Sequence, residues 1–445
     1  MARPLQLSLI LALFITVSCA APTPLAVPVA AVPAPSPELV DQVDGTLIGW
    51  IRPAEDTESV TPADPEMSGK LKALAEEFAE ASEVELIAFY PNLGAFTVRG
   101  DLGKVRELAR NDPWEKLLMV GSDFIVSIYD GAGCLAPTDP PRPPIVPTGV
   151  ERVGGPFYSG FEGKRAWIID TGIDLETANG QINIDRAMAA NCLQRPSNPD
   201  DPKCSSGPTV DVADSVGHGT MVAGIIAAMP RDGSGLYGVA PGATIVPVKA
   251  IGADGYADFA EGPMRAIDYV TANAAPGDVV NISWGGDWSR DLETFLTTYS
   301  RVNAALRRLA ESGVRIAIAA GNDTNWVQFV SPAGAGGYRA ANGGVVMTAS
   351  AVDSSRNTWF SWKDKFWPAS NYGVGTPDFA EPGVNVMSLW PGNKVRMCSG
   401  TSFAAPHLAG ILLRGLPRED GYAEGDLDNQ GTNGTDDPVG RCCVP

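Results

Sequence analysis

Histidine is scarce in this sequence: its 445 residues include two, His218 and His407. Cysteine is also rare, with seven residues and no C-x-x-C pair, so a cysteine–histidine zinc site is not expected. Lys and Arg (33) are outnumbered by Asp and Glu (52), which gives a formal net charge of −19. A surface this acidic argues against nucleic acid and anionic membranes as partners. Beyond the N-terminus no apolar run is long enough to predict a membrane span.

The N-terminus has the pattern of an export signal. Arg3 precedes the apolar stretch from Leu7 to Val17, and small residues follow, which predicts a signal peptide over residues 1–20. We therefore expect the protein to be secreted or to reside in the cell envelope. Cys19 leaves open a lipid-anchored form, although Thr16 stands where lipoprotein signals usually carry Leu, Val or Ile.

The six cysteines after the signal favour disulfides, because exported chains mature in oxidising compartments. Cys192 and Cys204 flank a short loop rich in Pro, Asn and Asp and are the expected pair. Cys442 and Cys443 are adjacent and cannot easily bond to each other, so each is expected to pair elsewhere.

Composition divides the rest of the chain into segments. Residues 21–43 form a Pro/Ala-rich linker, residues 131–148 a Pro-rich linker, and residues 416–445 an acidic tail. Between the linkers, residues 44–130 alternate strand-like and helix-like patterns in the order β-α-β-β-α-β. This order predicts a small α+β domain of the ferredoxin-like type, closed by the strands "WEKLLMV" and "FIVSIYD".

Residues 149–415 predict a larger α/β domain. The runs "RAWIID", "TIVPVKAI", "DVVNISW" and "VRIAIAAG" are almost wholly apolar, as parallel strands buried on both faces are. Segments of helical length and spacing lie between them. Alternating strands and helices predict a doubly wound, mostly parallel sheet.

One serine, Ser402 in "GTSFAAPHLAG", stands among small residues at a helix start. A serine nucleophile needs a base, and His407 is five positions further along the same helix, about 140° around its axis. His218, flanked by glycines in "SVGHGTMVAG", is then the candidate base. Asp170 ends a buried strand and is the candidate carboxylate that orients it. Asn322, after the strand "VRIAIAAG", is a candidate oxyanion donor together with the Ser402 N–H.

Each of these residues also has a structural interpretation. Ser402 could cap a helix, His218 could be an ordinary buried histidine, and Asp170 could cap a turn. The combination favours nucleophilic catalysis, since the chain supplies every partner that a serine nucleophile needs.

The motifs "IIDTGID", "GHGTMVAG", "NISWGG", "AAGN" and "GTSFAAPHLAG" follow one another as in the subtilisin-like serine proteases, which this sequence resembles over about residues 148–415. The chain order Asp, His, Ser is that of this family. Residues 44–130 resemble the family's N-terminal propeptide, an intramolecular chaperone and inhibitor.

The resemblance implies a role for each matching position. Asp170, His218 and Ser402 match the triad, and Asn322 matches the oxyanion donor. The positions that match substrate-binding residues are Gly255, Tyr256 and Ala257 in a peptide-pairing strand, Ser283, Trp284 and Gly285 on one side of the S1 pocket, and Ala319, Ala320 and Gly321 on the other. Trp284 is bulkier than the usual residue, so we expect it to narrow or cover that pocket.

The C-terminal segment departs from the family pattern. The family's closing helix-and-strand region looks missing or replaced after Gly415. Asp426, Asp428, Gly431 and Asp437 fall at positions 1, 3, 6 and 12 of an EF-hand-like calcium loop, although Gln430 breaks the pattern. A solvated acidic tail is the favoured interpretation, and a structural calcium ion the alternative.

The sequence thus predicts a secreted serine endopeptidase, made as a self-processing zymogen, that requires no cofactor for catalysis. Its expected partners are peptide or protein substrates and its own propeptide, and a monomer is expected after processing. Two alternatives remain open: a catalytically idle subtilase-fold binding protein, and an esterase that uses the same triad.

Overall fold

The computed structural model describes residues 46–51, 65–111, 118–122, 125–128, 134–193, 204–259, 262–287, 299–356, 361–373, 375–425 and 437–442. The predicted signal peptide and first linker lie outside these ranges. Among the residues described, no helix is both long and apolar enough to span a membrane.

The N-terminal unit is a four-stranded antiparallel sheet with two helices. Its elements are β1 (Thr46–Ile51), α1 (Pro65–Ala81), β2 (Glu85–Tyr90), β3 (Ala95–Arg99), α2 (Leu102–Ala109) and β4 (Leu118–Ser122). The strand order β2-β3-β1-β4 is that of a ferredoxin-like sheet. Phe78 of α1 stacks edge-on against Phe96 of β3 at 5.8 Å, in a small apolar core between helices and sheet. Asp101 caps α2 through the amides of Gly103 and Lys104.

The last strand predicted for this unit pairs elsewhere. Residues Ile125–Ile128 (β5) form a strand, but they belong to a second sheet with three strands of the larger domain and pair directly with two of them. The apolar pattern predicts a strand here, but it does not identify the partner strands.

The larger domain is built on a mostly parallel sheet with helices on both faces. Its helices are α3 (Thr148–Arg152), α4 (Leu175–Ala178), α5 (His218–Ala227), α6 (Pro263–Asn273), α7 (Ser300–Glu311) and α8 (Thr401–Arg414), with 3-10 turns at Val327–Phe329 and Ala333–Ala335. Its strands are β6 (Arg165–Asp170), β7 (Asn183–Ile184), β8 (Ala190–Asn191), β9 (Ser205–Ser206), β10 (Thr244–Lys249), β11 (Tyr256–Asp258), β12 (Val279–Ile282), β13 (Trp284–Asp287), β14 (Arg315–Ala319), β15 (Val330–Ser331), β16 (Tyr338–Arg339), β17 (Val345–Arg356), β18 (Trp362–Phe366), β19 (Phe379–Pro382), β20 (Val386–Trp390), β21 (Lys394–Cys398), β22 (Arg418–Tyr422) and β23 (Pro438–Arg441).

The central strands run parallel in the order β10-β6-β12-β14-β17-β19. They are buried on both faces, in agreement with their continuous apolar sequences. The doubly wound α/β fold expected from the sequence is thereby confirmed. The apolar helices α5 and α8 pack beside each other and against this sheet, which brings both of their N-termini to its edge.

The acidic C-terminal segment is integrated into the main sheet. β23 pairs parallel to β19, and β22 pairs antiparallel to β23, so the sheet continues beyond the predicted domain end at residue 415. The buried Arg152 of α3 binds the carboxylates of Asp364 and Asp420 at 2.8–3.0 Å and so joins the hairpin to the domain. Residues 418–422 and 438–441 are therefore strands of the sheet, and within this acidic segment Arg418, Glu419 and Tyr422 are exposed to solvent, as expected from the composition.

Among the described residues, two disulfides connect segments of the chain, one over a long and one over a short sequence separation. Cys192 pairs with Cys204, which confirms the predicted bond. Cys134 pairs with Cys398, a bond that the sequence did not suggest. This second bond attaches the start of the larger domain to the strand that leads into Ser402.

Candidate active site

Asp170 and His218 form a buried hydrogen-bonded pair. Asp170 is the last residue of β6 and His218 the first of α5, and His218 Nδ1 lies 2.8 Å from Asp170 Oδ1. The same oxygen accepts the backbone N–H of Thr171 at 2.7 Å. Both side chains are almost inaccessible to solvent. A buried carboxylate on Nδ1 fixes the ring orientation and stabilises the charged imidazolium.

Glycines on either side of His218 allow this close arrangement. Gly217 has φ +99°, and a Cβ there would lie 2.5 Å from the Trp390 ring. At Gly219 a Cβ would lie 2.1 Å from the carbonyl oxygen of Gly172. The helix can therefore begin directly against the end of β6, as the flanking glycines predicted.

A second carboxylate, Asp214, holds the start of α5. Its Oδ1 accepts the Thr171 hydroxyl and the Gly217 N–H, and its Oδ2 accepts the N–H and hydroxyl of Thr220, all at 2.6–2.9 Å. Because Thr171 follows Asp170 directly, Asp214 connects both members of the pair. This residue was missed in the sequence, where it is one of many loop aspartates.

Ser402 lies at the start of α8, close to the histidine. The ring of its neighbour Phe403 is 5.6 Å from the His218 ring, centroid to centroid. Ser402 Oγ donates a hydrogen bond to the Ser283 carbonyl at 2.9 Å, and Ser283 Oγ donates back to the Ser402 carbonyl at 3.0 Å. The nucleophile candidate is thus anchored to the turn between β12 and β13, beside the Asp170–His218 pair.

Asn322 is held through its amide oxygen. Its Oδ1 accepts the backbone N–H of Thr401 at 3.0 Å and the Thr401 hydroxyl at 2.8 Å. The Thr401 hydroxyl in turn accepts the Gly321 N–H at 3.0 Å. Two bonds to the oxygen fix the plane of the amide and direct its N–H donors away from Thr401.

The strand β5 lies between β11 and β13. It pairs antiparallel with Tyr256–Asp258 on one side and with Trp284–Gly285 on the other. Ile128 N donates to the Gly255 carbonyl at 3.1 Å, and Ile128 is opposite Trp284. An extended segment of the chain therefore occupies the space between these strands. Its last residue, Ile128, is opposite Trp284, the neighbour of Ser283.

Neighbouring residues that the sequence predicts at the S1 pocket lie on opposite faces of the chain. Trp284 is fully buried, and its Nε1 donates to the Ile169 carbonyl at 2.8 Å. Its ring packs 6.4 Å from Phe259 in the core, and the expected effect of Trp284 on the pocket stays a prediction. Successive strand residues point to opposite faces, which sends Ser283 and Trp284 in opposite directions. On the other side, Ala319 ends β14, and Ala320 and Gly321 lead directly to Asn322.

The comparisons agree with this architecture. The family model described as "Subtilase family" matches residues 167–424, more than half of the chain. The chain belongs to the subtilase family.

Several curated subtilases are similar to this chain. The subtilisin-like serine protease AsES of Sarocladium strictum is 34% identical over 46% of this chain and 47% of its own length. Subtilisin-like protease 6 of Trichophyton schoenleinii is 27% identical over 76% of this chain and 75% of its own length. Proteinase R of Parengyodontium album is 36% identical over 44% of this chain and 44% of its own length. A solved cold adapted subtilisin-like serine proteinase is 25% identical, covers 67% of this chain and 98% of its own, and superposes with a TM-score of 0.47.

The subtilase chain uses its other histidine structurally. His407 is fully buried in α8, and its Nδ1 lies 2.7 Å from the Phe403 carbonyl oxygen. Burial lowers the pKa of His407 to about 4, so it stays neutral at physiological pH. This confirms the expectation that it is a buried helix residue.

The candidate calcium loop lies mostly outside the described residues. Asp437, its last position, is buried, and its Oδ2 accepts the Ser350 hydroxyl at 2.5 Å. Within the described parts of the chain, no group of three or more His, Cys, Asp or Glu side chains is suited to hold a metal ion. Calcium at Asp426, Asp428 and Gly431 stays a prediction.

Proposed function

We propose that this subtilase is a serine endopeptidase that is made as a self-processing zymogen, with Asp170, His218 and Ser402 as its triad. The observation that carries the proposal is β5, an extended strand paired on both sides by β11 and β13. Strand pairing of this kind is how a protein binds an extended peptide regardless of sequence, because the contacts are made to the backbone.

Acylation of the serine follows from the positions of these groups. Rotation of Ser402 about its Cα–Cβ bond exchanges the bond to Ser283 for one to His218 Nε2, which takes the hydroxyl proton as Oγ attacks the peptide carbonyl. Asp170, bonded to Nδ1, stabilises the imidazolium that results. The oxyanion receives N–H donors from the Asn322 side chain and the Ser402 backbone.

The second half of the reaction reverses these proton transfers. His218 protonates the leaving amine, and the acyl group remains on Ser402. Water enters as the amine leaves, loses a proton to His218, and attacks the acyl carbonyl. Collapse of the second tetrahedral intermediate releases the acid and restores the Ser402 hydroxyl.

We further propose that residues 44–130 are an inhibitory propeptide and that residues 149–415, together with the C-terminal strands β22 and β23, form the catalytic domain. β5 enters the cleft in the direction of Ser283 and Ser402, which supports self-cleavage downstream of Ile128, within or near residues 125–147. Residues 129–133 lie outside those described. Export through residues 1–20 and action on protein or peptide substrates as a monomer complete the proposal.

The experiment compares intact masses of the purified wild type and two variants, all expressed with residues 1–20. Ser402→Ala removes the nucleophile. Ser388→Ala is the matched control, because Ser388 is also buried and its Oγ also donates to a backbone carbonyl, that of Met221, at 2.8 Å. We expect the wild type and Ser388→Ala to be shortened by the propeptide, and Ser402→Ala to retain it.

Full-length masses for all three chains would refute self-processing and favour an idle binding protein. A processed wild type that cleaves ester substrates but no peptide substrate would favour the esterase.

A further inference from the structure

Asn371 is a buried residue that forms hydrogen bonds to the backbone on both sides of Asn322, the proposed oxyanion donor. It lies after β18, is fully buried, and has no place among the residues assigned so far. Its backbone N–H donates to the Gly321 carbonyl at 2.9 Å, and its Nδ2 donates to the Ala320 carbonyl at 2.8 Å. Its Oδ1 accepts the backbone N–H groups of Asp323 at 3.0 Å and Asn325 at 2.9 Å.

These four bonds contact the chain on both sides of Asn322. The segment between them turns sharply, with φ +102° at Gly321 and +52° at Thr324. Such a turn leaves its backbone groups pointing inward without partners from a helix or sheet, and buried backbone groups must be satisfied. One asparagine side chain supplies both the donor and the acceptor that this turn requires.

We propose that Asn371 is a positioning residue for oxyanion stabilisation, which holds the loop 320–325 so that the Asn322 amide nitrogen faces the reacting carbonyl. The inference rests on the proposed peptidase function. Thr401 fixes the Asn322 side chain, whereas Asn371 fixes the backbone that carries it. Oxyanion donors act by being preorganised, so a loop that relaxes by a fraction of an ångström loses transition-state stabilisation before it loses substrate binding.

Chemistry explains why other side chains cannot replace asparagine here. Leucine has a similar outline but neither donates nor accepts. Aspartate keeps the acceptor for Asp323 and Asn325 but places an oxygen against the Ala320 carbonyl. We therefore expect catalysis to fall from wild type to Asn371→Asp to Asn371→Ala.

The test is a double-mutant cycle on a peptide anilide substrate, with kcat and KM measured separately for wild type, Asn322→Ala, Asn371→Ala and the double variant. Loss of one oxyanion donor costs about 10²–10³-fold in kcat. We expect Asn371→Ala to lower kcat by about 10–100-fold with KM within about threefold, on the same principle of lost preorganisation. In the Asn322→Ala background, the further loss of kcat is expected to stay within about threefold, because a loop without its donor has nothing left to position.

Asn191→Ala is the matched control. Asn191 is also buried and also bridges main-chain groups: it donates to the Asp211 carbonyl at 2.7 Å and accepts the Leu193 N–H at 3.0 Å. It makes no bond to the loop 320–325, so its loss is expected to lower the melting temperature and leave kcat unchanged. If Asn371→Ala gives no folded chain, the same cycle is run with Asn371→Asp, for which a loss of kcat that vanishes in the Asn322→Ala background is again expected.

Separate outcomes overturn the two proposals. An inactive wild type, or an Asn322→Ala variant as active as wild type, removes the proposed function and this inference with it. If Asn322→Ala loses kcat but the Asn371 variants keep it, change KM only, or lose kcat equally in both backgrounds, the inference fails and the proposed function stands.

Discussion

The contact between the N-terminal unit and α6 predicts a pH-dependent release of the proposed propeptide. Asn92, in the turn between β2 and β3, donates its backbone N–H to Asp268 Oδ1 at 2.8 Å and its Nδ2 to Asp268 Oδ2 at 3.1 Å. Arg308 of α7 donates to the Leu93 carbonyl at 3.4 Å in the same contact. The carboxylate of Asp268 is therefore covered by the proposed propeptide.

Burial raises the pKa of Asp268 from 3.8 to about 6, and outweighs the hydrogen bonds from Asn92 and Leu93 that lower it. A raised pKa means that the covered state binds the proton more tightly than the released state. The contact is thus strongest below about pH 4, weakens as pH rises through about 6, and is constant above that.

The size of the effect follows from the same values. The full difference in pKa corresponds to about 3 kcal/mol. Asp268 is only half-buried, so solvent screening reduces this to about 1–2 kcal/mol, or roughly tenfold in the dissociation constant.

The assay follows the appearance of activity after processing. The processed complex is incubated at pH values from 4.5 to 8, and samples are read at once in one common buffer, so that the incubation pH does not alter the activity assay itself. We expect activation about tenfold faster at pH 7.5 than at pH 4.5. Asp268→Asn, which cannot ionise, should show no such dependence, whereas the exposed Asp232→Asn should behave as wild type. Equal pH dependence in Asp268→Asn and wild type would refute the reasoning.

Three further predictions concern the larger domain. Asp214→Ala should lower kcat/KM on a peptide anilide about tenfold and the free energy of unfolding by about 2–3 kcal/mol, because it leaves buried donors at the start of α5 without an acceptor; unchanged kinetics would show that α5 holds His218 unaided. Glu381 is fully buried, and burial raises its pKa well above the ordinary value. The free energy of unfolding of the wild type should therefore fall, relative to that of Glu381→Gln, as the pH rises above 4.5. Urea unfolding of both chains at pH 4 and pH 8 measures this, and an equal pH dependence of the two free energies would contradict it. Replacing Cys134 and Cys398 with Ala should lower the free energy of unfolding by about 3–5 kcal/mol, because this bond closes a loop of 264 residues and so restricts the unfolded chain strongly. Loss of the Cys192–Cys204 bond, which closes a loop of 12 residues, should cost less. A larger cost for the short loop would refute this reasoning from chain entropy.

Local patterns were sufficient to place the proposed catalytic residues at the ends of secondary-structure elements. Asp170 follows four buried residues of one strand, and His218 follows Gly217, whose φ of +99° favours glycine. Because parallel strands and the helices between them present their ends on a common edge, the order of the elements brings these residues together. Strand alternation was also available in the sequence and would have placed Trp284 in the core, opposite Ser283.

Long-range partners were not predictable from these patterns. The residues Ile125–Ile128 have the composition of a strand in any sheet. Acidic residues such as Asp420 look solvated until Arg152, 268 positions away, is brought beside them. Asn371 lies in no recognisable sequence motif. Its side chain bonds only main-chain groups of residues 320–325, and any residue at those positions would provide the same groups.

The position of β5 connects the proposed inhibition with the proposed substrate recognition. β11 and β13 each present a backbone edge, and an unpaired edge in a soluble protein invites another strand. In this structure the chain's own segment fills this position, and in the proposed precursor both edges would stay covered until processing releases it. The hydrogen bonds that hold β5 come from backbone groups, which an extended substrate offers equally. The proposed propeptide can therefore inhibit the enzyme without any contact that a substrate could not make, and its advantage over substrate must come from elsewhere. The Asn92–Asp268 contact on α6 is such a source, because it lies outside the cleft and no short peptide reaches it.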